Sequence, residues 1–193
     1  LEQASDERAS SRTWLFARLK RTAKAAISMM AFHLKQGNFI PLGYEISFSE
    51  HGQYLPVSFE IGGKKVKLRG KVDRADIFSD GKEKYIRIVD YKTGERKFSI
   101  GDLYYGLQIQ LALYLDTICQ AEEAAPAGML YFRLYDPIVS IAPGAGEKEI
   151  GQARLKQYQV KGLMLEETKI LEGMDKNLSQ GDSQILPVKL KKD

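Results

Sequence analysis

A chain of 193 residues with 44% apolar and 28% charged residues has the composition of an ordinary soluble globular protein, and its length suits one sizeable domain or one domain with an extra arm. No run approaches the roughly 18 apolar residues of a membrane span and no signal-peptide pattern opens the chain, so a membrane and secretion are not indicated and a reducing cytoplasm is the default. The single cysteine, Cys119, excludes an internal disulfide and any all-cysteine zinc or iron-sulfur site within these residues, and the net charge of +4 is compatible with nucleic acid without demanding it.

Residues 1 to 11 are polar and expected to fray. From Ser11 or Thr13 to about Gln36 a run rich in Ala, Leu, Lys and Arg predicts a long helix, packed through Trp14, Ala17, Ala25, Met29 and Phe32 and stopped by Gly37-Asn38. With Arg12, Arg18, Lys20, Arg21 and Lys24 clustered early, residues 1–37 read as an N-terminal basic helical arm ahead of a core over 38–193. His33, on this helix, reads as a capping or surface group. The chain opens without Met and stops at Leu-Lys-Lys-Asp, which suggests a piece of something longer.

Phe39 to Phe48 reads as an entry loop and strand. It carries Glu45 among apolar neighbours, where a carboxylate either points into solvent or joins an acidic site. Residues 55–61 form a second short strand and Gly62-Gly63 a turn. Residues 65–79 then alternate, with Val66, Leu68, Gly70 and Val72 on one face and Lys67, Arg69, Lys71 and Asp73 on the other, and residues 84–92 carry the β-rich run Tyr-Ile-Arg-Ile-Val. Ser79-Asp80-Gly81-Lys82 is a turn signal between them. A four-residue loop over 80–83 pairs Ser79 with Lys84, sets Asp76 against Arg87 as a structural ion pair and makes Asp73 face Asp90. A two-residue turn at Asp80-Gly81 would set Asp73 opposite Ile88 instead. Directly opposed carboxylates, with Cβ atoms roughly 4.5 to 5.5 Å apart, repel each other unless a cation lies between them. Lys92, two residues past Asp90, shares its face.

After the polar loop Thr93 to Lys97, a helix is expected from about Asp102 to Ala121, its buried stripe drawn by Leu103, Leu107, Leu111, Leu115 and Ile118. Gln110 and Tyr114 stack beside that stripe at i, i+4, and a glutamine there must find partners for its amide. Residues 127–135 suit a buried strand closed by Asp136-Pro137. Pro143 to Glu149 is a Gly-rich loop too irregular to cradle phosphate. A second helix is expected from about Ile150 to Glu172 and a terminal strand over Ile185 to Leu190.

Two acidic side chains on neighbouring strands with a lysine on the same face are the minimum kit for metal-assisted phosphodiester hydrolysis. Asp73 and Asp90 would hold Mg²⁺ or Mn²⁺ through hard oxygens, with Glu45 and the backbone carbonyl at Tyr91 completing the shell. Lys92 would orient the attacking water or counter developing charge. Gln110 and Tyr114 would hold the substrate backbone or brace the site, and Arg69, Lys71, Arg74 and Lys97 are candidate nucleic-acid contacts.

Three stretches resemble motifs of the PD-(D/E)xK nuclease superfamily, in its RecB-like branch. Arg69-Gly70-Lys71-Val72-Asp73 resembles Gly-x-x-Asp, Asp90-Tyr91-Lys92 resembles Asp-x-Lys, and Gln110-Leu111-Ala112-Leu113-Tyr114 resembles Gln-x-x-x-Tyr. The surrounding Pro41 to Glu45, Tyr104 to Leu107 and Leu130 to Arg133 are similar to nuclease domains of AddAB-type helicase-nucleases. The resemblance implies an α/β (α+β) restriction-endonuclease-like core, a central mixed sheet flanked by helices. It implies an exonuclease domain that degrades one DNA strand as double-strand breaks are processed for recombination repair, partnered by an AddA-type motor subunit. It also implies an iron-sulfur cluster, which Cys119 alone cannot make, so that its cysteines lie outside these residues or do not exist, and a histidine ligand, for which only His33 stands on an upstream helix. Two other readings are a nuclease-like fold that binds nucleic acid or assembles without hydrolysis, which the intact Asp73, Asp90 and Lys92 argue against, and a restriction or repair nuclease independent of a helicase.

Overall fold

The computed structural model of the chain describes residues 2–94, 99–106, 109–178 and 181–189, with side chains described from Ser11 onward. Helix α1 (Glu2–Gln36) leads into strand β1 (Ile40–Phe48), the hairpin of β2 (Val57–Ile61) and β3 (Lys64–Leu68), and the hairpin of β4 (Gly70–Ser79) and β5 (Lys84–Lys92). Then come α2 (Ile100–Tyr104), α3 (Ile109–Glu122), β6 (Ala125–Arg133), α4 (Glu147–Gln157), β7 (Lys161–Met164) and α5 (Thr168–Met174). The central sheet has the order β1-β4-β5-β6-β7 and is mixed. Its one parallel pair is β5 with β6, joined by the crossover that contains α3, and the other neighbours are antiparallel.

Each face of the sheet is covered by its own apolar layer. On one face Tyr85, Val89, Leu130 and Phe132 pack with Ile170, Met174, Leu178 and Ile185, and the C-terminal half of α1 joins through Ala25, Met29, Met30 and Phe32. On the other, Ile46, Phe48, Val72, Ala75, Ile86 and Ile88 pack under α3 through Tyr114, Leu115, Ile118 and Cys119. Along β5 the odd residues serve the first layer and the even ones the second, as a two-residue period requires. No helix among the described residues is long and apolar enough to cross a membrane.

Several sequence expectations are corrected. The residues expected to fray are helical, since α1 begins at Glu2. Within that helix Trp14 and Ala17 are exposed rather than packed. The stretch read as one strand over 65–79 is two, because the chain leaves the small β2–β3 sheet at Arg69 and enters the central one at Gly70. The helix expected from Asp102 is divided into α2 and α3. The helix expected over 150–172 contains β7 in its middle, where Leu163 and Gly162 pair with Met129 and Leu130 at the sheet edge. Residues 185–189 form no strand beyond an isolated bridge of Lys189 to Asp182, and Leu190 lies outside the described residues.

Candidate active site

The β4–β5 hairpin adopts the register of the four-residue loop. Ser79 pairs with Lys84 and Asp76 with Arg87, and the ladder ends with Arg74 opposite Val89, leaving Asp73 and Asp90 each one residue beyond the last pair. The turn is fixed by Asp80, whose carboxylate accepts the N–H groups of Lys82 at 2.9 Å and Glu83 at 2.8 Å.

At the open end of this hairpin regular alternation slips. Val72 and Ala75 both belong to the layer under α3, although strict alternation would put them on opposite faces, so the phase changes at Asp73 and Arg74. Beside the slip, Glu45 sits on β1 between Tyr44, paired with Arg74, and Ile46, paired with Val72. Its φ is +50°, the left-handed region, a conformation that costs a residue with a side chain about 1 kcal/mol or more.

The slip turns the Asp73 carboxylate onto β5, where its Oδ2 accepts the backbone N–H of Tyr91 at 2.7 Å. On the following residue the Lys92 carbonyl accepts from Leu134 N–H, on the β6 side, at 2.8 Å. Because main-chain groups of a strand alternate sides, the Tyr91 carbonyl is directed toward β4 and Asp73. Asp90 and Lys92 continue the α3 face of β5. The Lys92 ammonium forms an ion pair with Asp90 Oδ2 and lies 5.8 Å from the centre of the Tyr131 ring. The sequence-predicted Asp73, Asp90, Lys92 and Tyr91 are therefore brought to one end of one hairpin.

The other candidates fall around this centre. Glu45 is 68% exposed and its carboxylate accepts from Lys71 Nζ at 3.1 Å. Gln110, in the first turn of α3, is exposed, so water meets the demands of its amide. Tyr114, one turn on, is buried, stacked on Phe48 with ring centres 4.2 Å apart, and burial pushes its phenol up. Its hydroxyl lies over Gly70, where a Cβ would stand 2.0 Å away. That contact explains the glycine three residues before Asp73, a requirement that the motif displays but periodicity does not reveal. Arg69 and Lys71 are exposed at 63% and 59%. Lys97 lies outside the described residues.

Arg74 requires a correction. Expected at nucleic acid, it is 4% exposed, its guanidinium bonded to Asp76 Oδ2 at 3.0 Å and to the Tyr91 hydroxyl at 2.9 Å. Asp76 also accepts from Arg87 Nε at 2.9 Å, as expected for a structural ion pair. His33 is likewise not the surface group expected. It is buried, edge-on to Phe132 with ring centres 5.2 Å apart, in a small cavity lined also by Arg74, Arg87 and Val89. Burial and then the Arg87 and Arg74 charges hold its pKa down to about 3. It packs on the layer of Val89 and Phe132, beside the Arg74 and Arg87 guanidiniums that Asp76 pairs.

A divalent metal is tested against these donors. Two carboxylates and a main-chain carbonyl at one strand end are hard oxygen donors of the kind Mg²⁺ and Mn²⁺ prefer, and the set fits. Among the described residues no group of three or more His, Cys, Asp or Glu side chains is already gathered. The set is thus two carboxylates with Glu45 one strand away.

A profile of the PD-(D/E)XK nuclease superfamily matches residues 1–187. The chain belongs to the PD-(D/E)XK nuclease superfamily. Relatives named as the B-type subunit of an ATP-dependent helicase/deoxyribonuclease extend the match: that of Acetivibrio thermocellus is 41% identical over 188 residues, covering 94% of this chain, and that of Clostridioides difficile 39% over 189 residues, covering 93%. In Clostridium kluyveri the figures are 41% over 183 residues and 91%. The chain spans 16% of the length of each of these relatives. The central mixed sheet flanked by helices accords with a PD-(D/E)XK, restriction-endonuclease-like fold.

Proposed function

We propose that this PD-(D/E)XK domain is a metal-dependent deoxyribonuclease, an exonuclease acting on one DNA strand within a helicase-nuclease that processes double-strand breaks for recombination repair. The observation that carries the reading is the convergence of Asp73, the Tyr91 main chain and the Asp90–Lys92 ion pair at the open end of the β4–β5 hairpin. Asp73 and Asp90 would hold Mg²⁺ or Mn²⁺, with the Tyr91 carbonyl and Glu45 as further donors. Such an ion lowers the pKa of bound water and offsets charge on the scissile phosphate. Lys92 orients the attacking water and counters charge building on the phosphate oxygens, from a position that Asp90 fixes. Gln110, exposed at the start of α3, holds the DNA backbone, Tyr114 braces the hairpin through Gly70, and Arg69, Lys71 and Lys97 attract the strand. The name the relatives share supports an ATP-driven motor as partner, which would be an AddA-type protein in the cytoplasm. An iron-sulfur cluster, where the full-length protein has one, draws its cysteines from outside these residues.

The test incubates the chain with end-labelled single-stranded DNA and Mn²⁺ beside Asp90→Ala and Lys92→Ala. Cleavage by the wild type, abolished by chelation and reduced about a hundredfold or more in either variant, is the expected result. Undiminished DNA binding with no metal-dependent cleavage by any of the three would favour the reading in which the fold binds or assembles without hydrolysis.

A further inference from the structure

Tyr104 and Tyr105 are 84% and 79% exposed, the most exposed aromatic side chains among the described residues. Large rings left in water forgo the burial that usually holds them, and the backbone that carries these two is hydrogen-bonded locally. The N-cap Ser99 accepts Asp102 N–H on its Oγ at 3.1 Å and Leu103 N–H on its carbonyl at 3.1 Å. Tyr105 N–H bonds to Gly101 O at 2.9 Å and Gly106 N–H to Leu103 O at 3.0 Å. The turn closes on Gly106 at φ +80°, where a Cβ would meet no neighbouring atom among the described residues, and where a glycine suits the left-handed backbone. Leu103 then anchors α2 in the layer that holds Val72, Ile88 and Tyr114. Helix α2 therefore sits on the α3 side of the sheet, with both rings exposed to solvent.

Their mutual geometry leaves them available. The ring centres are 5.5 Å apart with planes at 82°, so one ring turns its edge to the other and three of the four ring faces stay clear of the partner. Free aromatic faces on a chain of net charge +4 are complementary to a polyanion that exposes flat bases. A duplex hides its base faces in the stack, whereas an unwound strand offers them at every step. We infer that Tyr104 and Tyr105 form a base-stacking platform that receives single-stranded nucleic acid on its way to the Asp73–Asp90 site. The inference rests on the nuclease reading for the destination of the strand, and on ring geometry alone for the contact.

The experiment measures binding of the whole chain, with chelator present so that no cleavage is needed, to a short labelled oligothymidylate and to an abasic strand of the same length. The double variant Tyr104→Ala/Tyr105→Ala is expected to bind oligothymidylate about tenfold or more weakly. The abasic strand should bind both proteins alike, and Tyr104→Phe/Tyr105→Phe should restore binding, because stacking needs the ring and not the hydroxyl. Equal affinity of the alanine variant for oligothymidylate would overturn the inference. So would an equal loss on the abasic strand, failure of the phenylalanine variant to restore binding, or no binding of oligothymidylate by the wild type. Loss of a protein partner with oligothymidylate binding intact would assign the rings to protein docking and overturn it as well. Tyrosine-dependent binding by a chain that never cleaves would sink the nuclease reading alone, and cleavage without tyrosine dependence would sink the platform alone.

Discussion

A Cβ at Gly70 would stand 2.0 Å from the Tyr114 hydroxyl oxygen and 2.9 Å from the ring carbon that bears it, and the ring is held in turn by Phe48. Even alanine must therefore push a packed tyrosine aside. Gly70→Ala is expected to lower stability by about 1–3 kcal/mol in urea denaturation, and Tyr114→Phe in the same chain to recover part of that loss by vacating the hydroxyl position. Additive losses in the two variants would refute the contact. In the sequence both residues stand out within motifs, yet their dependence on each other could not be read there, because α3 returns to β4 only in the folded chain. Arg74 failed for a related reason. Its place beside Asp73 in sequence suggests a phosphate contact, while the slip at the strand end turns it inward onto Asp76.

At the scale of elements, the β4–β5 hairpin was the most legible part. Alternation and β-branched residues marked both strands, and of the two loop lengths the sequence left open the four-residue one over 80–83 is adopted, so Asp76 meets Arg87. Asp76 is 0% exposed between Arg74 and Arg87, at 4% and 3%. Asp76→Ala would leave two guanidiniums buried without their counter-charge and is expected to cost about 3–5 kcal/mol in chemical denaturation. A loss within about 0.5 kcal/mol of zero would show that the network contributes little. The helical regions were less legible. The apolar stripe from Leu103 onward continues across Gly106, so periodicity alone cannot see where α2 ends. Strand β7 is concealed because Gly162, at φ +149°, lies against Met129 O, where a Cβ would stand 2.0 Å away, a requirement set by a strand elsewhere in the chain.

For the whole molecule, the mixed sheet flanked by helices was legible through the family motifs, whereas strand order and the extent of α1 were not. Two complete apolar layers, one on each face of the sheet, give the chain a core of its own although its relatives are far longer. Expressed by itself it is expected to unfold in one cooperative step, with circular dichroism and tyrosine fluorescence giving coincident urea transitions. Separated transitions would mean that part of the core is supplied by residues outside this chain. The slip at Asp73 carries one more consequence. With one carboxylate oxygen already committed to a main-chain hydrogen, the side chain has lost its freedom to swivel before any ion arrives. For the cation proposed above, that would mean a smaller ordering cost on binding, since the Tyr91 N–H already holds the carboxylate.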